Sequence, residues 1–242
     1  MSIYNSLVTA GIDNPGLETR MIEDYAKRHN LSQDQVNEII NQRILKTPLD
    51  KLLGEKGFYK HIFCVSENVL SPRPDTEVLV EKAVDIIKVM GKGASPRTIL
   101  DLGTGSGCIL LSILSDIPDL IGVGVDISAA ALDIAKQNAA ALQLENRVEF
   151  FQRNWFKDKI EGHFDVIVSN PPYIPSTDIP NLDVEVKDHD PMLALDGGQD
   201  GLDSYRKIAE IIPNLLNKDG YVLLEVGINQ AQDVANIFTK AG

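Results

Sequence analysis

Thr98-Ile99-Leu100-Asp101-Leu102-Gly103-Thr104-Gly105-Ser106-Gly107 begins as a short apolar run, turns on three glycines and leads into the apolar stretch from Cys108 to about Leu114. A buried strand, a tight turn and a helix in that order make the first half of a βαβ unit. Glycines at 103, 105 and 107 let the backbone approach a ligand closely, and Asp101 at the strand end is placed to receive a ligand cation. With Thr104 and Ser106 between them, the loop from Gly103 to Gly107 is a candidate cradle for a nucleotide cofactor. The spacing is GxGxG, so the GxGxxG fingerprint of dinucleotide binding is not met.

Toward the C-terminus the alternation continues. A second strand, Leu120 to Val125, ends in Asp126, about twenty residues beyond the loop, where a carboxylate can accept from both ribose hydroxyls. The plain alternative is a solvated acid at a strand end. Ser128 caps a helix through Ala131, Leu132, Ala135 and Ala139, and Arg147 to Phe151 gives a third strand. Asn154-Trp155-Phe156 follows it. Trp155, the single tryptophan, can wall off a purine and Asn154 can pair with its amino edge, or Trp155 can simply anchor the core.

The fourth strand, Phe164, Val166, Ile167 and Val168, ends in Asn170-Pro171-Pro172-Tyr173. Two consecutive prolines have fixed φ and no N–H, so the backbone after Asn170 is stiff and carries spare carbonyl acceptors. The Asn170 side-chain oxygen and the Pro171 carbonyl can both accept from one planar NH2 group, and the Tyr173 ring offers a face for stacking. Pro172 shares that substrate-facing turn. Beyond it, residues 174–190 form a polar loop long enough to cover a site, and Asp190 to Gly201 is a glycine-rich turn. A helix is expected from about Leu202 to Leu216, a fifth strand from Gly220 to Val226 and a last helix from Gln230 to about Lys240.

Toward the N-terminus, Ser71-Pro72-Arg73-Pro74-Asp75-Thr76-Glu77 is an extended lead with Asp75 or Thr76 as cap for a helix through Val80, Val84 and Ile87, ending in Gly91 to Pro96. Gly54 to Val65 reads as a hairpin or extended linker. Between Leu17 and Lys46 apolar residues recur at helical steps, with Ser32 and Gln35 spaced as a capping box. The expected division is a helical unit over 1–46, a hairpin or linker over 47–75 and an α/β domain over 76–242.

Composition narrows the function classes. The chain has 242 residues and a net charge of −12, with 9 basic and 10 acidic residues in 1–75 and 14 basic and 25 acidic residues in 76–242. That balance disfavours a tight grip on duplex phosphates and suits a basic protein partner. Cys64 and Cys108 stand apart without a CxxC pair, and the four histidines have no metal-ligand spacing, so free thiols and no metal are expected. No apolar run reaches the length of a membrane span and the first residues carry no secretory pattern, so no membrane association and a cytoplasmic location are expected.

The order of strand, glycine turn, helix, strand ending in Asp, aromatic, and strand ending in Asn-Pro-Pro-Tyr resembles the class I S-adenosylmethionine-dependent methyltransferases. Closer still, Ser71 to Glu77, Asp101 to Gly107, Asn170 to Tyr173, Gly197-Gly-Gln-Asp-Gly201 with Tyr205-Arg206, and Leu224-Glu-Val-Gly227 resemble the HemK/PrmC family. Its members methylate the glutamine of the Gly-Gly-Gln motif in peptide chain release factors. The resemblance implies a Rossmann-like α/β sheet with a small N-terminal helical domain, S-adenosyl-L-methionine as cofactor, release factors as partners and a monomer. It implies that Gly103 to Gly107 cradle the methionine part, Asp126 the ribose and Trp155 the adenine region, with Asn170 joining cofactor and acceptor. Asn170, Pro171 and Tyr173 would carry the catalytic step.

Two departures stand out. Asn154 occupies a position that is commonly acidic in the family, and family members continue past the last helix with two further strands, so an incomplete sheet is expected. The internal Gly197-Gly198-Gln199 is read as a turn rather than a self-methylation site. Other classes remain open on the residues alone: an amino-methyltransferase of DNA adenine (N6) or RNA guanine (N2), a nicotinamide-dependent oxidoreductase, and a catalytically silent binding protein.

Overall fold

The computed structural model describes residues 2–90 and 97–241. The expected helix end at Gly91 to Pro96 lies outside the described residues.

Helices α1 (Ile3–Thr9), α2 (Pro15–His29) and α3 (Gln33–Ile44) open the chain, with the short α4 (Leu49–Leu53) after them. Ser32 Oγ accepts from the Gln35 N–H at 3.3 Å while Gln35 Oε1 accepts from the Ser32 N–H at 2.9 Å. Two of the unpaired donors at the start of α3 are thereby satisfied. Leu7, Ile22, Ile40, Leu49 and Leu53 bury together as a separate apolar cluster. That cluster takes in α1 and α4, which helical periodicity did not reveal because each is too short to show a repeat. Ser32→Ala is expected to destabilise the helical unit by about 1 kcal/mol, read as a lower urea midpoint without loss of cofactor affinity.

An antiparallel hairpin follows, β1 (Glu55–Phe58) with β2 (His61–Cys64), and Phe58 and Phe63 point into the core of the α/β domain. A single 3-10 turn, Pro74–Thr76, runs directly into α5 (Glu77–Val89). Neither start carries a side-chain cap, which corrects the expectation for Asp75 and Thr76. The continuous turn leaves no room for one, and the Thr76 hydroxyl meets Asn170 instead.

The sheet comprises β3 (Arg97–Leu102), β4 (Leu120–Asp126), β5 (Val148–Gln152), β6 (Phe164–Ser169) and β7 (Leu216–Leu224), in the order β5-β4-β3-β6-β7. Every pairing is parallel. The connecting helices are α6 (Cys108–Asp116), α7 (Ala129–Ala141), the short α8 (Val184–Lys187) and α9 (Met192–Leu195), and α10 (Asp203–Ile211), with α11 (Ala231–Ala241) after the last strand. Alternation along β3 sorts the two faces. Ile99 packs with α5 and α6, whereas Leu100 and Leu102 pack with Ile208 of α10 and Ile212. This is the expected Rossmann-like α/β sheet with a small N-terminal helical unit.

Two boundaries differ from the sequence reading. The helix expected to reach Leu216 stops at Ile211, because Pro213 has no N–H to continue it and Ile212–Asn214 tightens into a 3-10 turn. The last strand begins early, at Leu216, which pairs with Phe164 before an irregularity carries Tyr221 to Leu224 into register with Val166 to Ser169.

The chain leaves β3 toward β4 on one side, while β6 lies on the other side of β3. The C-terminal ends of β3, β4 and β6 therefore open at a topological switch point, where ligands of such sheets bind.

Candidate active site

The loop after β3 is shaped by its glycines. Gly103 and Gly105 have φ of +75° and +54°, a region that other residues adopt only with strain. A Cβ on Gly103 would stand 3.1 Å from Cη2 of Trp155, whereas one on Gly105 would meet nothing within 4 Å. The loop is thus closed against the tryptophan below and open above.

Asp126, at the end of β4, holds the loop from the side. Its Oδ2 accepts the Gly105 N–H at 2.9 Å and its Oδ1 accepts the Ser128 N–H at 2.9 Å. Burial pushes its carboxyl up while these N–H groups oppose the shift. Each oxygen retains a lone pair for a hydroxyl donor. Asp101 lies fully buried beneath the loop rather than in a cavity wall. Its Oδ2 accepts the Thr104 hydroxyl at 2.7 Å and its Oδ1 is a buried acceptor without a partner among the described residues. Burial pushes this carboxyl up to about 7, and the charge on Asp126 adds to the shift.

A cavity of about 1030 Å3, counted to its open mouth, spans these strand ends. Gly103, Thr104, Gly105, Ser106, Asp126, Trp155, Asn170 and Pro172 line it. Trp155 is both wall and core, only 8% exposed, with its Nε1 unpartnered among the described residues. Asn154 does not line the cavity: its Oδ1 accepts the Phe156 N–H at 3.0 Å and closes a local turn. Gly107 caps the start of α6, Pro171 is buried, and Tyr173 packs toward Leu202, Tyr205 and Val234. These three also stand outside the cavity lining.

Three parts of the wall escaped the sequence reading. Val69 to Arg73, Ile127 and Ser128, and Leu193 and Ala194 also line the cavity. Glu225, directly after β7, belongs to the Leu224-Glu-Val-Gly227 stretch. The pattern that marks it is the one that marks Asp101 and Asp126, an acid where an apolar parallel strand ends. Asn170 is fixed from this side: its Nδ2 donates to the Thr76 hydroxyl at 3.3 Å, and the Tyr173 hydroxyl donates to Glu225 Oε1 at 3.5 Å.

The model described as "Methyltransferase small domain" matches residues 76–182. A release factor glutamine methyltransferase of Rhodospirillum rubrum is 41% identical over 250 aligned residues, covering 98% of this chain and 75% of the relative. That of Agrobacterium fabrum is 40% identical, covering 98% of this chain and 86% of the relative. The chain belongs to the release factor glutamine methyltransferase family. A bifunctional methyltransferase of Rickettsia felis is 34% identical over 96% of this chain and 51% of its own length.

As a member of this family the chain is an enzyme, a methyltransferase, and its cofactor is S-adenosyl-L-methionine. The residues present fit that group. Gly105 leaves space above the loop for close backbone approach, and Asp126 offers spare acceptor positions at the side. Trp155 and Ile127 supply apolar wall, and Asp101 holds a buried acceptor without a partner under a loop suited to a cationic amino acid. Burial pushes the Cys108 thiol up to about 12, so it serves as neutral packing beside this cavity rather than as a nucleophile.

Proposed function

We propose that the chain methylates the side-chain amide nitrogen (N5) of the glutamine in the Gly-Gly-Gln motif of peptide chain release factors, using Asn170 and Pro171 to hold that amide. The observation carrying the reading is the placement of Asn170 at the end of β6, in the wall of the cavity and with its NH2 turned to Thr76. This orientation leaves the Asn170 side-chain oxygen as the free acceptor. The names of the relatives support the substrate, and the net charge of −12 suits a basic protein partner better than a nucleic acid.

Bound S-adenosyl-L-methionine supplies an electrophilic methyl on sulfur. Gly103 to Gly107, Asp126 and Trp155 would hold it, and the chain's own residues act on the acceptor. A glutamine amide nitrogen is a weak nucleophile because its lone pair is delocalised into the carbonyl. Asn170 Oδ1 and the Pro171 carbonyl accept its two N–H bonds, fix the plane of the amide and stabilise the positive charge that grows on nitrogen. The nitrogen loses its proton once the new C–N bond has formed, so no strong base precedes attack. Tyr173 contributes through its backbone: its carbonyl accepts Gln230 Nε2 at 2.9 Å, which anchors the turn after the two prolines.

Among the described residues no helix is long and apolar enough to cross a membrane. The proposal places the enzyme in the cytoplasm, acting as a monomer on soluble release factors.

The test incubates the protein with labelled cofactor and, separately, release factor, duplex DNA and RNA. Label on the release factor, lost when its Gly-Gly-Gln glutamine is replaced, is the expected result. Label on nucleic acid alone would replace this reading with amino-methylation of a base.

A further inference from the structure

Glu225 lies behind Asn170, away from the cavity, and three bonds place it there. Its N–H donates to the Ser169 carbonyl at 3.0 Å, next to Asn170 in the chain. Its carbonyl accepts the Tyr205 hydroxyl at 2.9 Å, and its Oε1 faces the Tyr173 hydroxyl. Its Oε2 is buried with no partner in hydrogen-bonding geometry among the described residues. A buried carboxylate oxygen left in that state needs an explanation. The Thr76 hydroxyl and, to a smaller extent, the Asn170 amide both act on this carboxyl and favour its charged form, so Thr76 is the candidate donor to the unpartnered oxygen.

Donor arithmetic then settles a direction. An ionised carboxylate only accepts, a threonine hydroxyl has one hydrogen, and an asparagine amide presents oxygen on one side and NH2 on the other. If Thr76 gives its hydrogen to Glu225, its oxygen can only accept from Asn170, so Asn170 must turn NH2 inward. That is the orientation present, with Asn170 Nδ2 donating to Thr76 Oγ1 at 3.3 Å. The side-chain oxygen of Asn170 is thereby aimed outward. A protonated Glu225 permits the reverse chain, in which Thr76 donates to Asn170 and NH2 faces outward, against the NH2 of a substrate amide.

We propose that Glu225 is a positioning residue that sets the direction Asn170 to Thr76 to Glu225 and so fixes which side of the Asn170 amide meets the methyl acceptor. It rests on the reading that Asn170 holds the acceptor amide. The titratable and charged groups around Glu225 are Asp75 before α5, Tyr173 in the turn after β6, with Arg73 facing that tyrosine, Tyr205 on α10 and Cys108 on α6. Burial raises the Glu225 carboxyl and Asp75 adds to the rise, while Thr76, Asn170 and Tyr173 oppose it. Protonation of Glu225, and with it the loss of direction, therefore begins at a higher pH than for an exposed glutamate.

Two measurements on the full chain test this. In methyl transfer, Thr76→Val is expected to lower kcat by about 10–100-fold, by analogy with residues that orient an active group. Thr76→Ser is expected to restore most of it, with cofactor affinity unchanged in both. In NMR, the Asn170 side-chain NH2 pair, assigned by its loss in Asn170→Ala, is expected to titrate on the acid side and to stop doing so in Glu225→Gln. Equal rates for Thr76→Val and wild type, or a Thr76→Ser variant as impaired as Thr76→Val, would overturn the proposal, as would an unchanged titration in Glu225→Gln. Should wild type methylate no glutamine at all, the functional reading fails, and the NMR titration, which needs no turnover, still decides this inference.

Discussion

Asn170→Ala is expected to lower kcat for glutamine methylation by about 10²–10³-fold, corresponding to about 2.7–4 kcal/mol of transition-state stabilisation by analogy with loss of one oriented donor in an oxyanion hole. The effect falls on kcat because the interaction grows during the reaction. In the ground state the amide N–H groups carry modest partial charge, and water could replace one acceptor at little cost. As the lone pair leaves the carbonyl and bonds to carbon, the nitrogen becomes cationic, and both N–H bonds need fixed acceptors. Alanine removes one of the two. Cofactor affinity is expected to stay within a few-fold, because the loop from Gly103 to Gly107 and Asp126 are built on β3 and β4, with Asp126 tying Gly105 to Ser128 independently of Asn170. Stability is expected to change little, since the one Asn170 side-chain contact in hydrogen-bonding geometry among the described residues is the long one to Thr76, at 3.3 Å. Initial rates and calorimetric titration check the two halves separately. A fall in cofactor affinity as large as the fall in rate would assign Asn170 to cofactor binding.

Most of what surrounds Asn170 was legible in the sequence, for identifiable reasons. β3, β4 and β6 lie in the middle of the sheet, largely buried, and read as apolar runs. Each ends in a polar residue that cannot be there for packing, so Asp101, Asp126 and Asn170 stand out. The glycine loop is visible because its φ values admit few other residues. Other parts were hidden by their physics. Val69 to Arg73 and Leu193 to Ala194 wall the cavity through tertiary placement of segments without periodicity. Asn154 followed from its place after β5, but a short amide bonds its own backbone as readily as a ligand, and here its oxygen takes the Phe156 N–H. Thr76 looked like a helix cap because threonine at a helix start usually is one, and only the structure brings it across to Asn170, 94 residues away in the chain. Glu225 carried the same signal, an acid at the end of an apolar strand, but which groups it faces depends on Thr76, Tyr173 and Tyr205, brought to it from other parts of the chain.

Asp101→Asn is expected to abolish a pH dependence of stability worth on the order of 4 kcal/mol, and the sign follows from the carboxyl's environment. In the unfolded chain an aspartate titrates near 3.9. In the folded protein Asp101 is held up at about 7, first by burial and then by the charge on Asp126, against the hydrogen bond from the Thr104 hydroxyl and a smaller backbone contribution. Between those two values the folded state holds a proton that the unfolded state has released, so stability falls as pH rises. The loss is complete above pH 7, and three pH units at about 1.36 kcal/mol each set its size. Asparagine has no proton to release over this range and its oxygen still accepts from Thr104, so the unfolding free energy of wild type is expected to fall by that amount relative to the variant from pH 4 to pH 8. Urea unfolding across the range measures it, and parallel curves for the two proteins would show that Asp101 is ionised throughout. The same linkage reaches the cofactor. A cationic amino group placed over the loop favours the ionised carboxylate, so binding releases the proton and wild-type affinity rises through pH 7, whereas the affinity of Asp101→Asn stays flat. A carboxylate kept costly in the empty protein thus becomes an attraction that is realised when the cation arrives.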